Sequence, residues 1–128
     1  MVIKLPRPTD AELEILTVLW SRGPSTVREV HETLERRKPT QYSTVLKFLQ
    51  IMAEKGLVRR DEKARAHVYQ AAQPREQTQK QLAGDLLQRA FAGSAKSLLM
   101  GALSARKASR EELAELRQLL DEYEKGAK

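Results

Sequence analysis

Four side chains near the middle of this 128-residue chain, Gln41, Ser43, Thr44 and Lys47, form a set able to read a chemical pattern. An amide, two hydroxyls and an ammonium offer donors and acceptors, and Thr44 adds a methyl group. Such groups match base edges in the major groove of DNA. Gln can bridge adenine, Lys can reach guanine, and the Thr methyl can meet that of thymine. A second set suits phosphate better than bases: Ser25, Arg28, Tyr42, Arg60, Lys63, Arg65 and His67. Contacts of that kind set register and add salt-sensitive affinity, without carrying sequence information. Tyr42 has alternative uses, to contact a phosphate or a base or to fix how its helix begins.

The charge distribution supports a polyanionic partner. The net charge is +6, and residues 36–67 hold nine Lys/Arg against three Asp/Glu, so this stretch carries the whole excess. Residues 9–35 run the other way, with six acids against two bases. A solvated charged face explains many single charge runs, but a cluster of this size is an electrostatic footprint for nucleic acid.

Other chemistries find little support. There is no cysteine, which removes disulfides, thiolate metal sites and nucleophilic thiols together. Two histidines without clustered carboxylates make a poor transition-metal site, so no metal and no cofactor are expected. His31 reads as a satisfied, partly buried histidine and Trp20 as core. No phosphate-binding loop, dinucleotide fingerprint, H-E-x-x-H or nucleophile elbow is present, and the chain is not expected to be an enzyme. No apolar run is long enough for a membrane span, and residues 1–6 lack the features of a signal peptide. With 41% hydrophobic and 31% charged residues, a soluble globular protein of the cytoplasm is expected.

The reading residues must be held by something. Thr9-Asp10-Ala11-Glu12 is a capping box that opens a first helix with Leu13, Ile15, Leu16, Leu19 and Trp20 on its apolar side, stopped by Gly23-Pro24. Thr26-Val27-Arg28-Glu29 is a second box, followed by Val27, Val30, His31 and Leu34 at helical spacing. A third helix from about Thr40 to Gly56 turns Val45, Phe48, Leu49 and Met52 inward. Its other face carries Gln41, Ser43, Thr44, Lys47 and Gln50. The period then changes to that of strands at residues 57–60 and 66–70, joined by a turn at residues 61–65. Alternation of faces sends only one of Arg59 and Arg60 toward a bound partner, and it leaves open which one. Three helices and a basic two-stranded hairpin make a winged helix-turn-helix, in a mainly α chain.

Pro74 marks a change of composition, giving a winged-helix domain at residues 1–73 and a helical region at residues 74–128. Leu82, Leu86, Phe91, Leu98, Leu99, Leu103, Leu113, Leu116 and Leu120 form amphipathic stripes with little in their own region to pack on. A third capping box, Ser109 to Glu112, opens the last stripe. The alternatives are that these helices fold back on the winged-helix domain or pair with a second chain, and dimerisation is expected because a lone helix-turn-helix gains affinity by pairing two half-sites.

Several strings resemble the penicillinase-repressor family, the BlaI, MecI and CopY group of regulators. They are Thr9-Asp10-Ala11-Glu12-Leu13-Glu14-Ile15-Leu16, Val18-Leu19-Trp20, Thr26-Val27-Arg28-Glu29-Val30 and Tyr42-Ser43-Thr44-Val45-Leu46. Further along come Glu54-Lys55-Gly56-Leu57-Val58, Arg65-Ala66-His67-Val68-Tyr69 and Phe91-Ala92-Gly93-Ser94. The resemblance implies a homodimeric repressor on a palindromic double-stranded DNA operator, with base contacts at Ser43 and Thr44. It also implies a membrane metalloprotease sensor that responds to β-lactams and disables the repressor by cleavage in the dimerisation region. Members cut in this way have Asn-Phe where this chain has Gly101-Ala102, and the copper-responsive branch uses C-terminal cysteines that this chain lacks. The alternatives to this repressor are a winged-helix module that binds protein, and a repressor governed by another signal.

Overall fold

The computed structural model describes residues 6–63 and 65–126. Residues 1–5, read above for a targeting segment, and Ala64 of the expected turn lie outside the described residues. The elements run α1 (Asp10–Arg22), β1 (Ser25–Thr26), α2 (Val27–Glu35), α3 (Tyr42–Lys55), β2 (Val58–Asp61), β3 (Val68–Ala71), α4 (Arg75–Phe91), α5 (Ala95–Ala105) and α6 (Arg110–Gly126). The chain divides into two compact units, Met1–Ala83 and Gly84–Lys128.

Local chemistry sets the helix boundaries in the first unit. Thr9 accepts from the Glu12 N–H while the Glu12 carboxylate accepts from the Thr9 N–H, and Thr26 and Glu29 repeat this reciprocal box at α2. Each box satisfies two N–H groups that a helix start would otherwise leave unpaired. Gly56 ends α3 in the left-handed region, at φ 86°, where a side chain would be strained. The hairpin forms with its strands displaced by one or two residues from those expected, so that Asp61 joins β2 while residues 66 and 67 stay in the turn, and its register pairs Arg60 with Tyr69 and Asp61 with Val68. The sheet also has a third strand. The two residues of β1 pair antiparallel with β3, Ser25 opposite Tyr69 and Thr26 opposite Val68, giving the order β1-β3-β2.

One core lies beneath these elements. Ile15, Leu16, Val18 and Leu19 of α1 meet Val27, Val30 and Leu34 of α2, Val45, Leu49 and Met52 of α3, and Leu57, Val58 and Tyr69 of the wing. Each such side chain contributes about 1.5–3 kcal/mol by leaving water. Leu13, Trp20 and Phe48, three members of the expected stripes, are only half-buried, and Trp20 and Phe48 pack at the margin of the core. Trp20 uses that position to donate its indole N–H to the Gln73 carbonyl at 3.0 Å, and the Arg75 guanidinium lies 6.0 Å from its ring centre. Pro74 does precede α4, but the first unit keeps this helix as far as Ala83. Thr78 is buried, and the Gln81 amide donates to the Pro6 carbonyl.

The second unit is different in kind. After α4 the chain turns through Ala92 and Gly93, both at positive φ, and Ser94 caps α5 by accepting from the Ser97 N–H. At the start of α6 the Ser109 hydroxyl accepts from the Glu112 N–H, while the Glu112 carboxylate pairs with Arg106. No described residue of α5 or α6 is buried, and Leu86, Met100, Leu103, Leu119, Leu120 and Tyr123 are exposed. Among the described residues no helix is long and apolar enough to cross a membrane.

Candidate nucleic-acid interface

The site begins with the two faces of α3. Val45, Leu49 and Met52 seal its inner face against α1, α2 and the wing. Gln41, Tyr42, Ser43, Thr44 and Lys47 are exposed, as is Gln50 one turn further on. Gln41 is the N-cap residue, yet its amide makes no capping bond. Among the described residues the side chains of Gln41, Ser43, Thr44 and Lys47 have no protein hydrogen-bond partner, so their donors and acceptors all face outward. The four expected base-reading residues therefore come together at the N-terminal end of one helix, the end a recognition helix presents to base edges.

A cleft separates α3 from the wing. Tyr42, Leu46 and Gln50 line one side, Arg60, Tyr69, Arg65, Ala66 and His67 the other, and Thr26, Val27 and Arg28 close one end. Five of the seven expected phosphate contacts thus share one concave, cationic surface. The β-register decides which of the two adjacent arginines lines this cleft. Arg60 stands opposite the buried Tyr69 and lines the cleft, whereas Arg59 points to the other face. The Tyr69 hydroxyl, and beside it the Glu62 carboxylate, raise the pKa of the Arg60 guanidinium. Both also aim it. Arg28 is loosely tied to Glu32 one turn along α2, a pair exposed enough to yield to a phosphate.

Two expected contacts are placed elsewhere. Lys63 is exposed in the turn, where its N–H bonds the Asp61 carboxylate at 2.9 Å, and it does not line the cleft. Ser25 is corrected. It is buried in β1 alongside β3, and its hydroxyl donates to the Gly23 carbonyl at 2.8 Å, so its side chain cannot reach a phosphate. Sequence reading missed it because a two-residue strand has no periodicity to reveal it.

Two positioning contacts were also not anticipated. Lys55, at the last turn of α3, bonds the buried Glu12 carboxylate of α1. His31, expected to be satisfied and partly buried, contacts the Thr40 carbonyl and the ring of Tyr42 just before and at the start of α3. Only contacts across the fold reveal these roles. The spacing of His31 within its stripe was the sole hint in the sequence.

A family model described as penicillinase repressor matches residues 8–122. The chain is similar to the transcriptional regulator BlaI of Mycobacterium tuberculosis, with 37% identity over 96% of this chain and 89% of that protein. It is similar to the penicillinase repressor of Bacillus licheniformis at 27% identity, covering 94% of each. In structure it resembles the Bacillus licheniformis BlaI monomer solved in complex with the blaP half-operator, with TM-score 0.50 and 26% identity over 57% of this chain and 89% of that one. A solution structure of the DNA-binding domain of the repressor BlaI gives TM-score 0.51 at the same identity, over 58% of this chain and 90% of that one.

Proposed function

The chain belongs to the penicillinase repressor family, a family of transcriptional repressors and not of enzymes, and from that membership we propose that it is a homodimeric, sequence-specific repressor acting on palindromic operators. The observation that carries this reading is the division of α3 into a sealed inner face and an outer face on which Gln41, Ser43, Thr44 and Lys47 have no side-chain hydrogen-bond partner among the described residues. Gln41, Ser43, Thr44 and Lys47 read base edges, while Arg28, Tyr42, Arg60, Arg65 and His67 grip the backbone along the α3–wing cleft, with Lys63 beyond it. The similarity to BlaI bound to a half-operator supports the same mode of docking.

Pairing is the task of the second unit. The apolar side chains that α4, α5 and α6 leave exposed are more than a stable monomer ordinarily shows to water, and a second copy covers them. Leu82, Leu86, Phe91, Leu98, Leu99, Leu103, Leu113, Leu116 and Leu120 form that interface. Two recognition helices on a twofold axis then meet two half-sites, which multiplies weak single-site binding. Repression is relieved by cleavage near Gly101-Ala102 in α5 by a membrane metalloprotease sensor. The site of action is the cytoplasm, and the repressor itself does not insert into the membrane.

The test is fluorescence anisotropy of a labelled duplex from upstream of the protein's own gene against a scrambled duplex, across salt. Specific binding should exceed non-specific binding by about a thousandfold or more and weaken steeply with salt. Equal, weak binding to both duplexes, with no sequence enriched from a randomised pool, would sink the reading. Co-expression with the protease should yield fragments ending near Met100 to Ala102, and an intact chain in induced cells would remove that part.

A further inference from the structure

We propose that His31 is a positioning residue for sequence reading, one that sets the start of the recognition helix without touching DNA. The inference rests on the reading above, that the N-terminal end of α3 faces the bases. Four other helices, α1, α2, α5 and α6, begin with a hydroxyl side chain that caps them, from Thr9, Thr26, Ser94 and Ser109. The start of α3 has no such cap. Its place is fixed from outside, by the imidazole of α2.

The geometry is specific. His31 Nε2 lies 2.6 Å from the Thr40 carbonyl oxygen and 2.7 Å from a Glu35 carboxylate oxygen. Both partners only accept, so Nε2 carries the proton and donates. The ring also meets Tyr42 edge to face, with centroids 5.8 Å apart and planes at 79°. One half-buried side chain therefore holds the residue before the N-cap and the first residue of the helix. Gln41 lies between them, and Ser43 and Thr44 follow. Releasing the tether lets this end of α3 shift while Val45, Leu49 and Met52 keep its body anchored in the core. A small displacement there degrades bidentate base contacts far more than flexible lysine and arginine contacts to phosphate. Discrimination should fall far more than non-specific affinity, which loses at most the uncharged Tyr42 contact to the backbone.

The experiment compares His31→Ala, His31→Gln and Glu35→Ala in the full chain. Each binds the duplex most enriched by the wild type from a randomised pool and a scrambled duplex of equal length, with thermal unfolding recorded alongside. His31→Ala should lower the ratio of selected to scrambled affinity by about five- to tenfold, with a much smaller change in scrambled affinity and none in its salt slope. His31→Gln, whose amide can donate to the Thr40 carbonyl, should recover most of the ratio. Glu35→Ala should keep it, because the bond to Thr40 remains. An unchanged ratio in His31→Ala overturns the proposal, as does an equal loss on both duplexes. If the Ala variant does not fold, the Gln variant decides: a folded Gln variant that has lost discrimination overturns it. A wild type that discriminates no sequence is a separate result, and it removes the DNA-reading premise itself.

Discussion

Lys55 of α3 donates to both carboxylate oxygens of Glu12 in α1, at 3.1 and 2.9 Å. Glu12 is 2% exposed, and the same carboxylate also accepts from the Thr9 N–H. One buried anion thus closes the start of α1 and pins the far end of the recognition helix. Lys55→Met should destabilise the first unit by roughly 1–3 kcal/mol, less than a fully buried pair costs because the Lys55 side chain is 41% exposed. Chemical denaturation of the variant checks this, and an unchanged midpoint would show that the bond contributes little.

The same pair gives stability an acid limit. Burial by itself raises the pKa of Glu12, but the Thr9 N–H, the Lys55 ammonium and the Thr9 hydroxyl outweigh it and hold the group below its ordinary 4.5. Folding therefore favours the ionised form. That contribution is whole above 4.5 and is lost as acid protonates the folded carboxylate below it. Glu12→Gln should be less stable than wild type at neutral pH and should flatten the acid limb. Unfolding free energies from about pH 3 to about pH 7 would show the two curves converging in acid.

Reading and gripping should separate by mutation. Thr44→Ala and Lys47→Ala should each cost about 1–3 kcal/mol on the preferred duplex where a base contact is lost. Thr44→Ala should leave scrambled-duplex binding nearly unchanged. Equal losses on both duplexes would argue against base reading at these positions.

Arg65→Ala should weaken binding to every duplex and lower the salt slope by about one, as loss of a phosphate contact does. Arg59→Ala, on the other face of the wing, should do neither. An Arg59 effect equal to that of Arg65 would contradict the docking of DNA along the cleft.

Leu120→Glu should give a monomer at micromolar concentration by light scattering while the winged-helix unit stays folded, since Leu120 is exposed and takes no part in the core of that unit. A variant that remains dimeric would move the interface away from this part of α6.

Gly101→Ala should stabilise α5 by up to about 1 kcal/mol, because a glycine inside a helix costs backbone entropy. The added methyl would meet the Phe91 ring at an ordinary 3.5 Å. Cleavage, which requires local opening of a helix, should slow in the same variant. Thermal melts and the rate of fragment formation measure the two effects.

Much of the fold was legible because its signals are local. The Thr9–Glu12 and Thr26–Glu29 boxes, Gly56, and the stripes of α2 and α3 each declare themselves within a few residues. The polar make-up of the outer face of α3 was legible for the same reason, since 41, 43, 44 and 47 share one short stretch. What stayed hidden depends on partners far along the chain. Alternation divided Arg59 from Arg60, but only the register against Tyr69 says which faces the cleft. β1 exists because β3 lies beside it, and the bond from Lys55 to Glu12 spans 43 positions. Pro74 marked the change of composition correctly as the start of a helix. Burial of Thr78 keeps the first turns of that helix with the winged-helix unit, which no local pattern reports.

The uncommitted side chains of α3 bear on how such a protein can evolve. Gln41, Ser43, Thr44 and Lys47 contribute nothing to the core, and their side chains hold no other part of the described structure in place. On the proposed reading, substitution there should alter what is recognised while leaving the folded population intact. A duplicated gene could drift toward a new set of promoters one base preference at a time, never passing through an unfolded intermediate sequence.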